Sequence, residues 1–117
     1  MNDQEIFNLI CKCINDAKSK GYYIVSDPLN VTWNINKWES NDKLCCPLSS
    51  LLITHNIIPD VRLIKSDDLK CSTIAIFLNK NESWINSFIC AIQGKQNEGT
   101  SISGYILGLK IKKLFNI

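Results

Sequence analysis

Between Asp3 and Lys20 the apolar residues Ile6, Leu9, Ile10, Cys13, Ile14 and Ala17 return every three or four positions, the spacing of one stripe along an amphipathic helix. Asn2 is placed to cap that helix, Glu5 three residues later to reach back to the cap amide, and Gly21 to end it. Tyr22 to Val25 is aromatic and β-branched, which predicts a strand, and the turn formers Ser26 to Asn30 follow. Val31, Trp33 and Ile35 then alternate with Thr32, Asn34 and Asn36, so a second strand and a small β-hairpin are expected after the first helix. Trp38 to Leu44 reads as a polar loop.

The second half of the pattern is helical. Pro47 suits the first turn of a helix, where its missing N–H would be unbonded anyway, so Cys46 becomes the cap of a short apolar helix through Leu48, Leu51, Leu52 and His55. Ile57, Ile58 and Pro59 close it, and Asp60 to Lys70 is a charged connection. Ser72 is expected to cap a short helix over Thr73 to Leu78. Asn79 to Asn81 breaks the pattern before a helix from Glu82 to Gln93, whose Trp84, Ile85, Phe88, Ile89 and Ile92 form a broad apolar face and which Gly94 stops. Ser101 then caps a last helix with Ile102, Tyr105, Ile106, Leu109 and Leu114 as its apolar positions. Gly104 and Gly108 within it would each cost ~1 kcal/mol against alanine, which implies a compensating close contact with a neighbouring helix.

These elements predict a mainly α (α+β) fold, a helical bundle of four to five helices with a small β-hairpin after the first, in one domain over residues 1–117. Hydrophobic residues make up 45% and charged residues 21% of the chain, which argues for a folded core rather than disorder. The net charge is +2, and among thirteen basic residues Arg62 is the only arginine, a poor footprint for neutralising phosphates. No apolar run approaches the ~20 residues that cross a bilayer, and the acidic, polar start does not read as a signal peptide, so a cytoplasmic location is expected. In that reducing compartment the six cysteines, Cys11, Cys13, Cys45, Cys46, Cys71 and Cys90, are expected as thiols rather than disulfides.

Three blocks carry a family resemblance. Cys45-Cys46-Pro47-Leu48-Ser49-Ser50-Leu51-Leu52 looks like a Cys-Cys-Pro-Leu-Gly-Ala-Leu-Leu block, with Ser49-Ser50 in place of Gly-Ala. Trp84, Phe88 and Gly94 are similar to a Trp, aromatic and Gly series, and Tyr105-Ile106-Leu107-Gly108 resembles a closing Tyr-x-Leu-Gly helix. Together they resemble a group of short, uncharacterised bacterial proteins of cyanobacterial type. That family has no assigned activity, so the resemblance implies a shared domain and no mechanism.

Several constellations have the residue types for chemistry or binding. At a helix start, Cys45-Cys46-Pro47 offers exposed amides and the positive end of the dipole to a thiolate, yet the only histidine, His55, falls at the opposite end of the same helix. Burial as structural thiols is the favoured reading. Zinc would need closely spaced cysteine pairs, and Cys11 and Cys13 lie about 200° apart around a helix, so no metal site and no cofactor are expected. Ile74 to Gly94 has helix-turn-helix spacing, but its second helix carries no Lys or Arg, begins with an acid and offers Asn86, Ser87 and Gln93 as base readers. Asn79 stands there where glycine is usual. Asp67-Asp68 between Lys65 and Lys70 reads as a solvated charged loop. Trp38, in a polar loop, is a candidate for an exposed contact.

Each chemical constellation lacks a necessary partner, so a non-enzymatic binding or regulatory module ranks first. The candidate binding residues are Trp38, Cys46, Trp84, Asn86 and Gln93, the partner class is another protein, and the expected state is a monomer or homodimer. A helix-turn-helix DNA-binding protein ranks second. A thiol-dependent enzyme or redox protein using Cys45 or Cys46, with His55 as a distant base, ranks third.

Overall fold

The computed structural model describes residues 1–26, 43–55 and 66–117, with side chains described from residue 72 onward in the last stretch. Its elements run α1 (Asp3–Ser19), β1 (Tyr23–Ile24), β2 (Leu44–Cys45), α2 (Pro47–Thr54), α3 (Ser66–Leu78), α4 (Glu82–Ile92) and α5 (Ile102–Phe115). The chain is therefore mainly α with a minor β part.

Capping chemistry fixes the helix starts that the sequence marks. Asn2 Oδ1 accepts from the Glu5 amide at 2.8 Å while the Glu5 carboxylate accepts from the Asn2 amide, a complete capping box on α1. Asn81 accepts from the Trp84 amide at the head of α4, and Ser101 from the Gly104 amide at the head of α5. At α2, Pro47 takes the first turn and Cys46 is the cap residue, without a capping bond from its side chain. Gly21 leaves α1 at φ +92°, a left-handed turn that glycine adopts without steric cost. The Tyr22 amide then returns to the Ala17 carbonyl at 3.0 Å, and the chain is delivered into β1.

The sheet differs from the expected hairpin. β1 pairs in parallel with β2, Tyr23 beside Leu44 and Ile24 beside Cys45. Leu44 thus belongs to a strand rather than to a loop, and it is the Lys43 and Cys45 carbonyls that accept from the Tyr23 and Val25 amides. The hairpin strand read over Val31, Trp33 and Ile35 lies outside the described residues. Ala17, Tyr22 and Cys45 form a small apolar cluster here, which ties the end of α1 to the strand that leads into α2.

A second difference concerns α3. It begins at Ser66, so Ser72 sits inside the helix rather than capping it, and its hydroxyl donates to Glu82 Oε1 at the head of α4. Asp67 and Asp68 fall in the first turn of α3, not in a loop.

The main core gathers Ile6, Ile10 and Ile14 of α1, Leu51 and Leu52 of α2, Ile74 and Leu78 of α3, Ile85 and Phe88 of α4 and Ile111 of α5. Burial of each such side chain stabilises the fold by roughly 1.5–3 kcal/mol before chain entropy is subtracted. α4 is the central helix, with Trp84, Ile85, Ser87, Phe88, Cys90, Ala91 and Ile92 all buried.

The orientation of α5 reverses the sequence reading. Gly104, Leu107, Gly108 and Ile111 face inward, whereas Ile102, Ile106, Leu109 and Leu114, read as its core-facing positions, are 74%, 47%, 43% and 59% exposed. The cause is the two glycines. A β-carbon at Gly104 or Gly108 would come to 2.6 or 2.7 Å from the carbonyl oxygens of Trp84 or Phe88, so α5 lies backbone to backbone on α4. The close helix contact expected of the glycines is present, and it turns the larger apolar residues outward.

Candidate functional site

Three places have the residue types for a site. The first is the junction of β2 and α2. Cys45, in β2, is fully buried, while Cys46 is half-buried at the α2 cap with its Sγ 3.2 Å from the hydroxyl of buried Ser49. His55 closes the other end of α2, exposed and tilted against the Phe77 ring at 4.8 Å between centroids. Nine residues of helical rise separate it from Cys46 by roughly 13 Å, so it does not reach the thiol as a base. The structure therefore does not join Cys45, Cys46 and His55 into one site.

The other described thiols are also placed by packing. Cys13 and Cys90 are buried and Cys11 is half-buried. Burial pushes the Cys11 thiol up, and it does the same to Cys13 against the opposing effect of a hydrogen bond with Thr54. Among the described residues no three His, Cys, Asp or Glu side chains gather as a metal site would require.

The second place is the α3, turn, α4 unit. Its geometry has two helices joined by Asn79 to Asn81, with Asn79 left-handed at φ +54°. The second helix, however, is covered. Trp84 is 3% exposed, stacked on Phe88 at 5.8 Å, and its indole N–H is buried without an acceptor. Of the remaining candidates on α4, Asn86 is exposed and Gln93 half-buried, and Glu82 is the other exposed residue of the helix. Lys80 is committed locally, 3.5 Å from Asp3 and over the Trp84 ring. Trp38 lies outside the described residues.

The third place was missed by counting apolar residues. On the side of α5 away from α4, Ile102, Ile106 and Leu109 align at spacings of four and three, with Leu114 beyond them. Lys110 and Lys113 are exposed on the same outward side. At 100° per residue Ile102 and Ile106 lie about 200° from Gly104 and Gly108, so the glycine pair was the signal that assigns this face to the outside. An aligned row of large apolar side chains, as opposed to scattered ones, is the surface feature that marks contact sites.

Comparison with known proteins gave no match to a family model, a curated protein or a solved structure.

Proposed function

We propose that this protein is a non-enzymatic interaction module whose contact surface is the outer face of α5. The observation that carries this reading is the exposed row Ile102, Ile106 and Leu109, which burial against α4 cannot account for and which would lose its contact with water on binding. The separation of Cys46 from His55 supports a role without thiol catalysis, and the acidic, covered α4 gives little to nucleic acid. The thiols of Cys11, Cys13, Cys46 and Cys90 fit the reducing cytoplasm as its compartment.

The test is a photo-activated cross-linking residue introduced at Ile106, or as a control at exposed Asn8 on α1, in the cell that produces the protein. A discrete adduct is expected from position 106 and none from position 8. No adduct at 106, or equal adducts at both, would sink the reading.

A further inference from the structure

We propose that the outer face of α5 docks on an anionic phospholipid bilayer, with Ile106, Leu109 and Leu114 entering the headgroup layer and Lys110 and Lys113 meeting its phosphates. The proposal rests on the interaction-module reading and gives its occupant. Helix direction carries it. Trp84 lies against Gly104, Phe88 and Ala91 against Gly108, and the Ile92 carbonyl accepts from the Lys112 ammonium at 2.7 Å, so α4 and α5 run parallel. α1 runs the same way. Asp3 in its first turn is 3.5 Å from Lys80 at the head of α4, and Lys18 in its last turn stands over the Phe115 ring at the end of α5. Three helices therefore end at one pole.

That parallel order sorts the charges. Asp3, Glu5 and Glu82 sit in first turns, and Glu98 is next to Gly99, which packs on Ser83 and Ser87 of α4. The opposite pole holds Lys18 and Lys20 of α1, Lys95 after the turn that ends α4, and Lys110, Lys112 and Lys113 of α5, a helix with no acidic residue. Among the described residues the one acid at this pole is Asp16, and Lys20 and Thr54 take it up. Lysines near helix C-termini complement the dipoles, which accounts for Lys112. Dipoles do not call for large apolar side chains among the lysines. Yet Ile106, Leu109 and Leu114 are exposed with Lys110 and Lys113, and at 100° per residue all five fall within one sector of about 140°.

A surface both cationic and apolar is complementary to a partner whose anionic layer covers an apolar one, and a bilayer has that order. Nucleic acid would satisfy the lysines and leave Leu109 and Leu114 without an apolar phase to enter. The charged positions are lysines throughout. A mobile point charge, without the planar fork of arginine, suits headgroups that rearrange beneath it better than the fixed carboxylates of a folded protein. With 14 residues, α5 lies along such a surface rather than across the bilayer.

Flotation of the full chain with vesicles of mixed phosphatidylglycerol and phosphatidylcholine, against vesicles of phosphatidylcholine alone, tests this. The expected result is binding to the anionic vesicles that weakens with added salt, and binding to the neutral ones at least about tenfold weaker. Lys110→Gln combined with Lys113→Gln is expected to weaken the anionic binding about thirtyfold. Ile106→Gln combined with Leu109→Gln leaves the charge unchanged and is expected to weaken it about tenfold or more, with helical circular dichroism intact. Should the latter variant not fold, the lysine variant, at exposed positions, still decides. No vesicle binding, equal binding to both vesicle types, or wild-type affinity in either variant would overturn the proposal, as would tighter binding to duplex DNA than to the anionic vesicles at the same salt. The cross-linked adduct from position 106 is expected to have the added mass of a phospholipid. An adduct with the added mass of a protein would overturn the lipid surface and leave the interaction module standing. Absence of any adduct at 106 would remove both, whether or not vesicles bind.

Discussion

Gly104 rests against the backbone of Trp84, whose carbonyl oxygen and indole ring would stand 2.6 and 3.2 Å from a β-carbon placed on the glycine. Helix propensity alone favours alanine there by ~1 kcal/mol, so the two effects oppose each other. Because the obstacle is backbone, which cannot rotate away, the steric effect wins. Gly104→Ala is expected to lower stability by about 1–3 kcal/mol net, and Gly108→Ala similarly. Ser103→Ala, exposed on the same helix, should stay within about 0.5 kcal/mol of wild type. Urea unfolding followed by circular dichroism measures all three, and a stabilised Gly104→Ala would refute the close α4–α5 packing.

A pH dependence follows from Asp16. Its carboxylate accepts from Lys20 at 3.0 Å and from Thr54 Oγ1 at 2.9 Å, which joins α1 to α2. Those hydrogen bonds, the Lys20 one first, hold the Asp16 carboxyl below its ordinary value of 3.8. A depressed folded pKa means that the contribution is fully present above the unfolded value and is lost as pH falls through the folded one. Wild type should therefore lose stability more steeply than Asp16→Asn on going from pH 5 downward through the acid range. Parallel acid titrations of unfolding midpoint would show it, and identical slopes would remove the argument.

The turn between α3 and α4 gives a backbone prediction. Asn79 holds φ +54°, a region that asparagine tolerates and β-branched residues do not. Asn79→Gly is expected within about 0.5 kcal/mol of wild type and Asn79→Val to cost about 1–2 kcal/mol. Thermal unfolding distinguishes them. Equal melting points for the two variants would mean that the turn is not left-handed.

How much of this was legible in the sequence depended on range. The capping box of Asn2 and Glu5, the Cys46-Pro47 start of α2 and the caps at Asn81 and Ser101 are local, and the residues themselves announce them. The parallel pairing of Leu44–Cys45 with Tyr23–Ile24 is two residues long on each side and joins positions about twenty apart, so no local pattern marks it. α5 was misread for a different reason. Counting apolar side chains assigns no weight to glycine, and the face that packs closest is the one with least side chain. For the candidate site, the opposed ends of α2 were readable from spacing alone, while the outward row on α5 required knowing where Gly104 and Gly108 rest.

The placing of α4 against α5, neighbours joined by a short connection, also orders events in time. Contacts between near segments close quickly, whereas the stripe Ile6, Ile10 and Ile14 must find α2 and a helix roughly ninety residues further on. During synthesis that stripe emerges before α4 and α5 and is covered after they have met. Pulse-labelled hydrogen exchange should protect amides of Trp84 to Ile92 before those of Ile6 to Ile14, and the opposite order would place the nucleus in α1. α1, made before α4, is thus the helix of the two that stays wet the longer.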